Sequence, residues 1–187
     1  HRLDRETSGV IIFAKRHEIA QTMAALFRKK RIKKKYSAVL NGHLPKSSGK
    51  AIPEAFIYLP IGKDLNSKIR IKQSVNSQGK PCQTYFSEKE KIGDFSLVEV
   101  RPITGRTHQI RVHAAHIGLA VLGDKLYGLP DDGFIRWLSE GDDYLLEQNF
   151  PLHRQLLHAS EIRFEHPVKK NETVIRASDE ILLKELN

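Results

Sequence analysis

Two short stretches of the chain hold side chains able to do chemistry. In His1-Arg2-Leu3-Asp4-Arg5-Glu6-Thr7-Ser8-Gly9, Asp4 stands between two arginines, which would hold a carboxylate ionised and oriented wherever it is buried. Such a group can serve as a nucleophile or a base. Glu6, two residues on, offers instead the paired-carboxylate chemistry of glycoside hydrolysis, and the bland alternative to both is a surface ion-pair network worth little. The second stretch runs from Leu97 to His113. It brings a strand-like segment to a helix N-terminus laden with Arg106, His108 and Arg111, a setting suited to an anion.

Charge points the same way. Lys and Arg number 31 against 22 Asp and Glu, a formal net charge of +9 with nine His uncounted. Seven of the eight residues from Arg28 to Lys35 are cations, Lys33, Lys34 and Lys35 closing the run. A density like this favours phosphate contacts by counterion release, although a solvated helix end has the same composition. The run does not distinguish RNA from DNA.

Other classes fall away. At 187 residues the chain fits one domain. No apolar run approaches the roughly 18 residues of a membrane span, so no membrane partner is expected. Cys82 is the single cysteine, which excludes an internal disulfide framework and an all-cysteine zinc site. His108, His113 and His116 lack the spacing of a converging ligand set, and no metal is expected. Gly118 to Gly123 imitates a phosphate-binding loop but has neither the lysine nor the hydroxyl residue that should follow. With no apolar leader at the N-terminus, a cytoplasmic location is expected.

Periodicity supplies the elements that must position these groups. Val10 to Ala14 reads as a strand buried on both faces, and Glu18 to Arg28 as an amphipathic helix ending in the basic run. Strands are predicted at Tyr36 to Leu40, Phe56 to Ile61, Ile69 to Lys72, Cys82 to Lys89 and Phe95 to Ile103, the last two as a hairpin. Thr107 is the predicted N-cap of a helix running to Ile117 and stopped by Gly118, with Ile110, Ala114 and Ile117 inward. A short helix near Phe134 to Ser139, strands from Leu156 to Phe164 and Val174 to Ala177, and a last helix from Asp179 to Leu186 capped by Ser178 complete the reading. Strands outnumber helices and lie next to each other in sequence, which predicts an α+β fold with a mixed, mostly antiparallel sheet.

At the two chemical stretches the sequence resembles a known family. His1 to Gly9 is similar to the HRLDxxTSG signature of the RluA-type pseudouridine synthases, and Leu97 to His113 to their second signature, ending in GRTHQIRVH. Lys35-Tyr36-Ser37-Ala38 resembles the family's K-x-Y-x-A segment, Leu122 to Gly128 its GDxxYG segment, and Arg154 to Ala159 its RQxLHA segment. The likeness spans nearly the whole chain in the family's order.

What the resemblance implies is isomerisation of uridine to pseudouridine in ribosomal or transfer RNA, without a cofactor, on a sheet of the pseudouridine synthase type with flanking helices and a cleft for RNA. Asp4 would be the catalytic carboxylate, attacking C1′ or removing the C2′ proton. Arg111 would pair with it and keep it ionised, Tyr36 would be a catalytic residue that contacts the base and assists loss of the C5 proton, and Leu157 would lie under the uracil. The uridine must leave its stack, and Arg2 would fill the gap. Arg106, His108 and Lys33 to Lys35 would hold the RNA. A binding module without catalysis is the rival reading, against which Asp4 argues, because a polyanion groove gains nothing from an acid. Residues 1–187 are expected to form the catalytic domain. Opening at His1, the chain is expected to lack the family's upstream strand and any N-terminal S4 domain, so that alone it would be poorly stable or self-associated and nearly inactive, the full-length protein being a monomer.

Overall fold

A computed structural model describes residues 1–45, 53–148, 150 and 152–186. Its centre is a seven-stranded sheet. β1 (Ser8–Gly9), β2 (Lys33–Leu40), β3 (Glu54–Tyr58), β6 (Gln83–Ile92), β7 (Phe95–Pro102), β8 (Leu157–Glu165) and β9 (Glu172–Arg176) run in the order β1-β8-β2-β7-β6-β3, with β9 also on β8. Only β1 and β8 are parallel. β4 (Ile61–Lys63) and β5 (Gln73–Val75) form a separate hairpin. The helices are α1 (His17–Arg28), α2 (Gln109–His116), α3 (Lys125–Gly128), α4 (Asp131–Glu140), α5 (Asp142–Glu147) and α6 (Glu180–Lys184). The α+β class and the mostly antiparallel sheet are as the sequence predicts.

Both faces of the sheet are covered in part. Ile110 and Ala114 of α2 pack on Ala38, Phe86, Val98, Val100 and Leu157, with the partly buried Ile117 beside them, but burial is not confined to that predicted stripe: Arg111, Val112 and His113 are buried as well. Met23 of α1 packs with Ile32, Ile162 and Phe164. Leu182 of α6 closes the opposite face over Val39 and Leu156. Each such side chain taken from water contributes roughly 1.5–3 kcal/mol.

Several predicted elements change. Val10 to Ala14 is no strand: only Ser8 and Gly9 pair with β8, Val10 N–H reaches the Ala159 carbonyl at 2.9 Å, and the chain then leaves the sheet. The reason lies in β9, which occupies β8 from Glu161 to Glu165 and so removes the backbone partner that residues 10–14 would need. Val10 and Ile12 still pack inward, while Phe13 is 78% exposed. Gly9 marks the departure, since its φ is 109° and a Cβ there would strike the Ala159 backbone.

Pro60 separates β3 from β4, dividing what read as one strand from Phe56 to Ile61. Ile69 to Lys72 is a turn at Arg70 and Ile71 with irregular chain on either side, β5 beginning just after it. The basic run divides as well: α1 ends at Arg28, Lys30 turns the chain at φ 54°, and Lys33 to Lys35 already belong to β2. Thr107 does not cap α2; the residue before the helix is His108, with φ 54°. At α6, Asp179 spends its carboxylate on the Ser37 hydroxyl at 2.5 Å, and Ser178 Oγ accepts from Glu180 N–H at 3.4 Å.

Candidate active site

A cleft of about 700 Å³ opens between the loop before β1, the start of β2, the C-terminal end of α1 and the loop from Pro102 into α2. Arg2, Asp4, Lys34, Tyr36, Arg106, His108, Arg111 and Leu157 all line it. Lys33 and Lys35 do not. Alternation along β2 puts Lys34 and Tyr36 on the cleft side and the other two lysines on the opposite side, where Lys35 lies 3.8 Å from Glu99.

At the floor of the cleft, Arg111 sits between two carboxylates. Its Nη1 donates to Asp4 Oδ2 at 3.0 Å, while Nε and Nη2 donate to Asp124 at 2.7 and 2.8 Å. Burial works against the Arg111 charge. The hydrogen bonds and charge of Asp124, then those of Asp4, more than offset it, so its pKa rises. Tyr36 is pushed up to about 12, by burial first and by the Asp4 charge second. Its hydroxyl therefore stays protonated at neutral pH. Lys34 is lowered by burial.

His108 is oriented from behind. Gln73 N–H donates to Tyr127 Oη at 3.1 Å, and Oη lies 2.9 Å from His108 Nδ1. The Tyr127 proton is thus directed at Nδ1, which leaves Nε2 as the imidazole donor. Burial and Arg111 lower the His108 pKa against the pull of Asp4 and Asp124. His113, fully buried between Thr84 Oγ1 and the Leu59 carbonyl, is lowered by burial, as is His158 against Ser8.

These three histidines give a pH dependence of stability. Their folded pKa lies below the usual 6.5, so as pH falls through about 6.5 the unfolded chain takes up protons that the folded chain refuses. Stability is complete above that window and is lost below it, by at most about 1.4 kcal/mol per pH unit for each histidine. Urea unfolding at pH 7.5, 6.5 and 5.5 should show a falling midpoint; a flat midpoint would mean that these rings are protonated in the fold.

The sequence reading missed the groups that hold this geometry. Gln109 ties the loop before α2: its Oε1 accepts from Thr104 Oγ1 at 2.8 Å and Arg106 N–H at 3.0 Å, and its Nε2 donates to the Gln83 carbonyl and Thr84 Oγ1. On the Asp4 side, Gln155 Nε2 donates to Thr7 Oγ1 at 2.8 Å, and Arg154 donates to the Glu6 carbonyl and Ser8 Oγ, both at 3.4 Å. Glu6 Oε2 takes the buried Lys125 ammonium at 2.9 Å and the Gln155 N–H at 3.3 Å. Glu6 is thus a strut outside the cleft lining, and the hydrolase alternative loses its second carboxylate. Among the described residues no group of three His, Cys, Asp or Glu could hold a metal ion, and no helix is long and apolar enough to cross a membrane.

Comparison with known proteins bears on the family of the chain and on its fold. A sequence model described as RNA pseudouridylate synthase matches residues 1–116. Ribosomal large subunit pseudouridine synthase C of Buchnera aphidicola subsp. Baizongia pistaciae is 36% identical over 187 residues, covering 98% of this chain and 53% of the relative. The protein of the same name from Yersinia pestis is 39% identical over 167 residues, covering 89% and 47%. The chain thus spans about half the length of these relatives. Human RNA pseudouridylate synthase domain containing 1 superposes with a TM-score of 0.74 at 30% identity, covering 100% of this chain and 70% of that one. Human RNA pseudouridylate synthase domain containing 4 shares the fold, at a TM-score of 0.68 and 23% identity over 100% of this chain and 74% of that one. With more than half of its length under the family's sequence model and a 30% identical structure covered over two thirds, the chain belongs to the RNA pseudouridylate synthase family, in its RluA-type branch.

Proposed function

We propose that the full-length protein isomerises uridines to pseudouridine in structured RNA, with Asp4 as the catalytic carboxylate. The observation that carries this reading is the Asp4–Arg111 pair at the floor of a cationic cleft, with Tyr36 and Leu157 beside it. The reaction breaks the bond from N1 to C1′ and joins C5 to C1′; C5 loses a proton and N1 gains one. Uracil anion and sugar must be kept together while the base turns, which needs a walled site with prepared charges. Arg111 and Asp4 supply the charges, and Leu157 an apolar wall. Tyr36 meets the base as a hydroxyl, because accepting the C5 proton would require it to lose its own first.

The target base is flipped into the cleft, with Arg2 at the mouth to stack in its place. Arg106, His108 and Lys34 hold the RNA around it. The names of the relatives favour large-subunit ribosomal RNA over transfer RNA. Large-subunit ribosomal RNA transcribed with [5-³H]uridine tests the reading: the full-length protein should release tritium to water without releasing uracil. Free uracil would make it a hydrolase, and no release would leave a binding module.

The lysines of β2 should separate under salt. Lys34→Ala should flatten the slope of log affinity against log salt by about 0.7 to 0.9, one phosphate contact. Lys33→Ala, on the opposite side of the strand, should leave that slope unchanged. Equal effects of the two would remove Lys34 from the cleft contact.

A further inference from the structure

We infer that Asp124 is a positioning residue for catalysis, one that confines Arg111 to a single contact with Asp4 and so keeps one Asp4 oxygen free to react. The inference rests on the reading of Asp4 as the reacting carboxylate. Asp124 has no exposed side-chain surface, and four donors fix its two oxygens. Oδ1 accepts from Leu126 N–H at 3.0 Å, Tyr127 N–H at 3.2 Å and Arg111 Nη2 at 2.8 Å; Oδ2 accepts from Arg111 Nε at 2.7 Å. The Tyr127 ring lies 5.0 Å from the guanidinium carbon and helps set its plane.

A guanidinium has two edges that can grip a carboxylate bidentately, Nε with Nη2 and Nη1 with Nη2. Asp124 takes the first edge and so fixes the plane and direction of the guanidinium, although Nη2 keeps a second hydrogen. In that orientation Nη1 alone meets Asp4, at Oδ2. Asp4 Oδ1 has no hydrogen-bond partner among the described residues. Without Asp124, the second edge would close on both Asp4 oxygens and bury the reactive one in an ion pair. The single positive charge is also shared between two carboxylates, so Asp4 retains more of its own charge for an electron-poor sugar carbon.

The test compares Asp124→Asn with the wild type in the full-length protein. Expected are a kcat reduced at least about 10-fold with KM within about twofold, and an acid limb of the pH–rate profile moved down by about one unit or more, because Arg111 now gives its whole charge to Asp4. A purely structural role would leave that limb in place, and with it an unchanged kcat in the folded variant, or a loss confined to KM, would overturn the inference. A crystal structure of the variant gives a readout independent of turnover: Arg111 should have rotated to engage both Asp4 oxygens, and an unmoved Arg111 would overturn the inference even if kcat had fallen. Should Asp124→Asn not fold, Asp124→Glu decides. It keeps the charge but displaces the grip, so kcat should fall with the acid limb at its wild-type place, and wild-type kcat would count against the inference. Absence of tritium release by the wild type would instead refute the functional reading.

Discussion

Asp4→Asn in the full-length protein is expected to cut tritium release from uridine-labelled RNA by at least about 10³-fold, a barrier increase of about 4 kcal/mol. RNA affinity should stay within several-fold. The first half rests on the proposed role of Asp4, the second on its geometry. Asparagine keeps the size of the side chain and an oxygen for Arg111 Nη1, whose 3.0 Å bond is the one side-chain hydrogen bond of Asp4 among the described residues. The fold loses little, because Arg111 keeps both of its bonds to Asp124. What disappears is the negative charge that, on the function proposed above, attacks C1′ or takes the C2′ proton. RNA, itself a polyanion, gains no affinity from that charge and loses none when it goes. Retained turnover in Asp4→Asn would sink the assignment of Asp4, and a collapse of affinity with it would make Asp4 a binding residue.

How much of this was legible in the sequence depends on the range of the interaction. Asp4, Tyr36 and Arg111 could be singled out because each stands in a local pattern with a family likeness, and all three line one cleft. Asp124 also stands in a segment with a family likeness, but nothing in Gly123-Asp124-Lys125 tells that its carboxylate reaches Arg111, 13 residues earlier, across the turn from α2 into α3. Glu6 misled for the converse reason. Its spacing from Asp4 suits a paired site, and only the fold brings Lys125 and Gln155 to claim it. The apolar run Val10 to Ala14 has the composition of a buried strand, yet pairing is decided by β9, more than 150 residues away, which takes the edge of β8 first. In the basic run, charge density was plain and direction was not. Once Lys33 to Lys35 enter β2, a period of two divides them between the cleft and the opposite side, a division that a helical reading of the run conceals.

Arg111→Met should be the most destabilising single change in the site. It fills much of the same volume but removes the partner of Asp124, whose carboxylate has no exposed surface and would keep only the Leu126 and Tyr127 N–H groups. Breaking a buried pair from one side costs about 3–5 kcal/mol, because the charge left behind is uncompensated. For a domain of this size each kcal/mol lowers Tm by about 2–4 °C, so a fall of roughly 6–20 °C is expected. Arg111→Lys should fall between, since an ammonium is a point charge that cannot grip Asp124 with two parallel bonds. The double variant Arg111→Met with Asp124→Leu separates the charge effect from simple loss of packing. With both charges gone, most of the loss should be recovered, short of about 1 kcal/mol for the cap that Asp124 gives α3. Neither variant should isomerise uridine, so stability is the quantity to read, by thermal unfolding followed at two wavelengths. An Arg111→Met protein within about 1 kcal/mol of wild type would mean that Asp124 is hydrated or protonated in the fold, and the two-carboxylate arrangement around Arg111 would then lose its electrostatic basis.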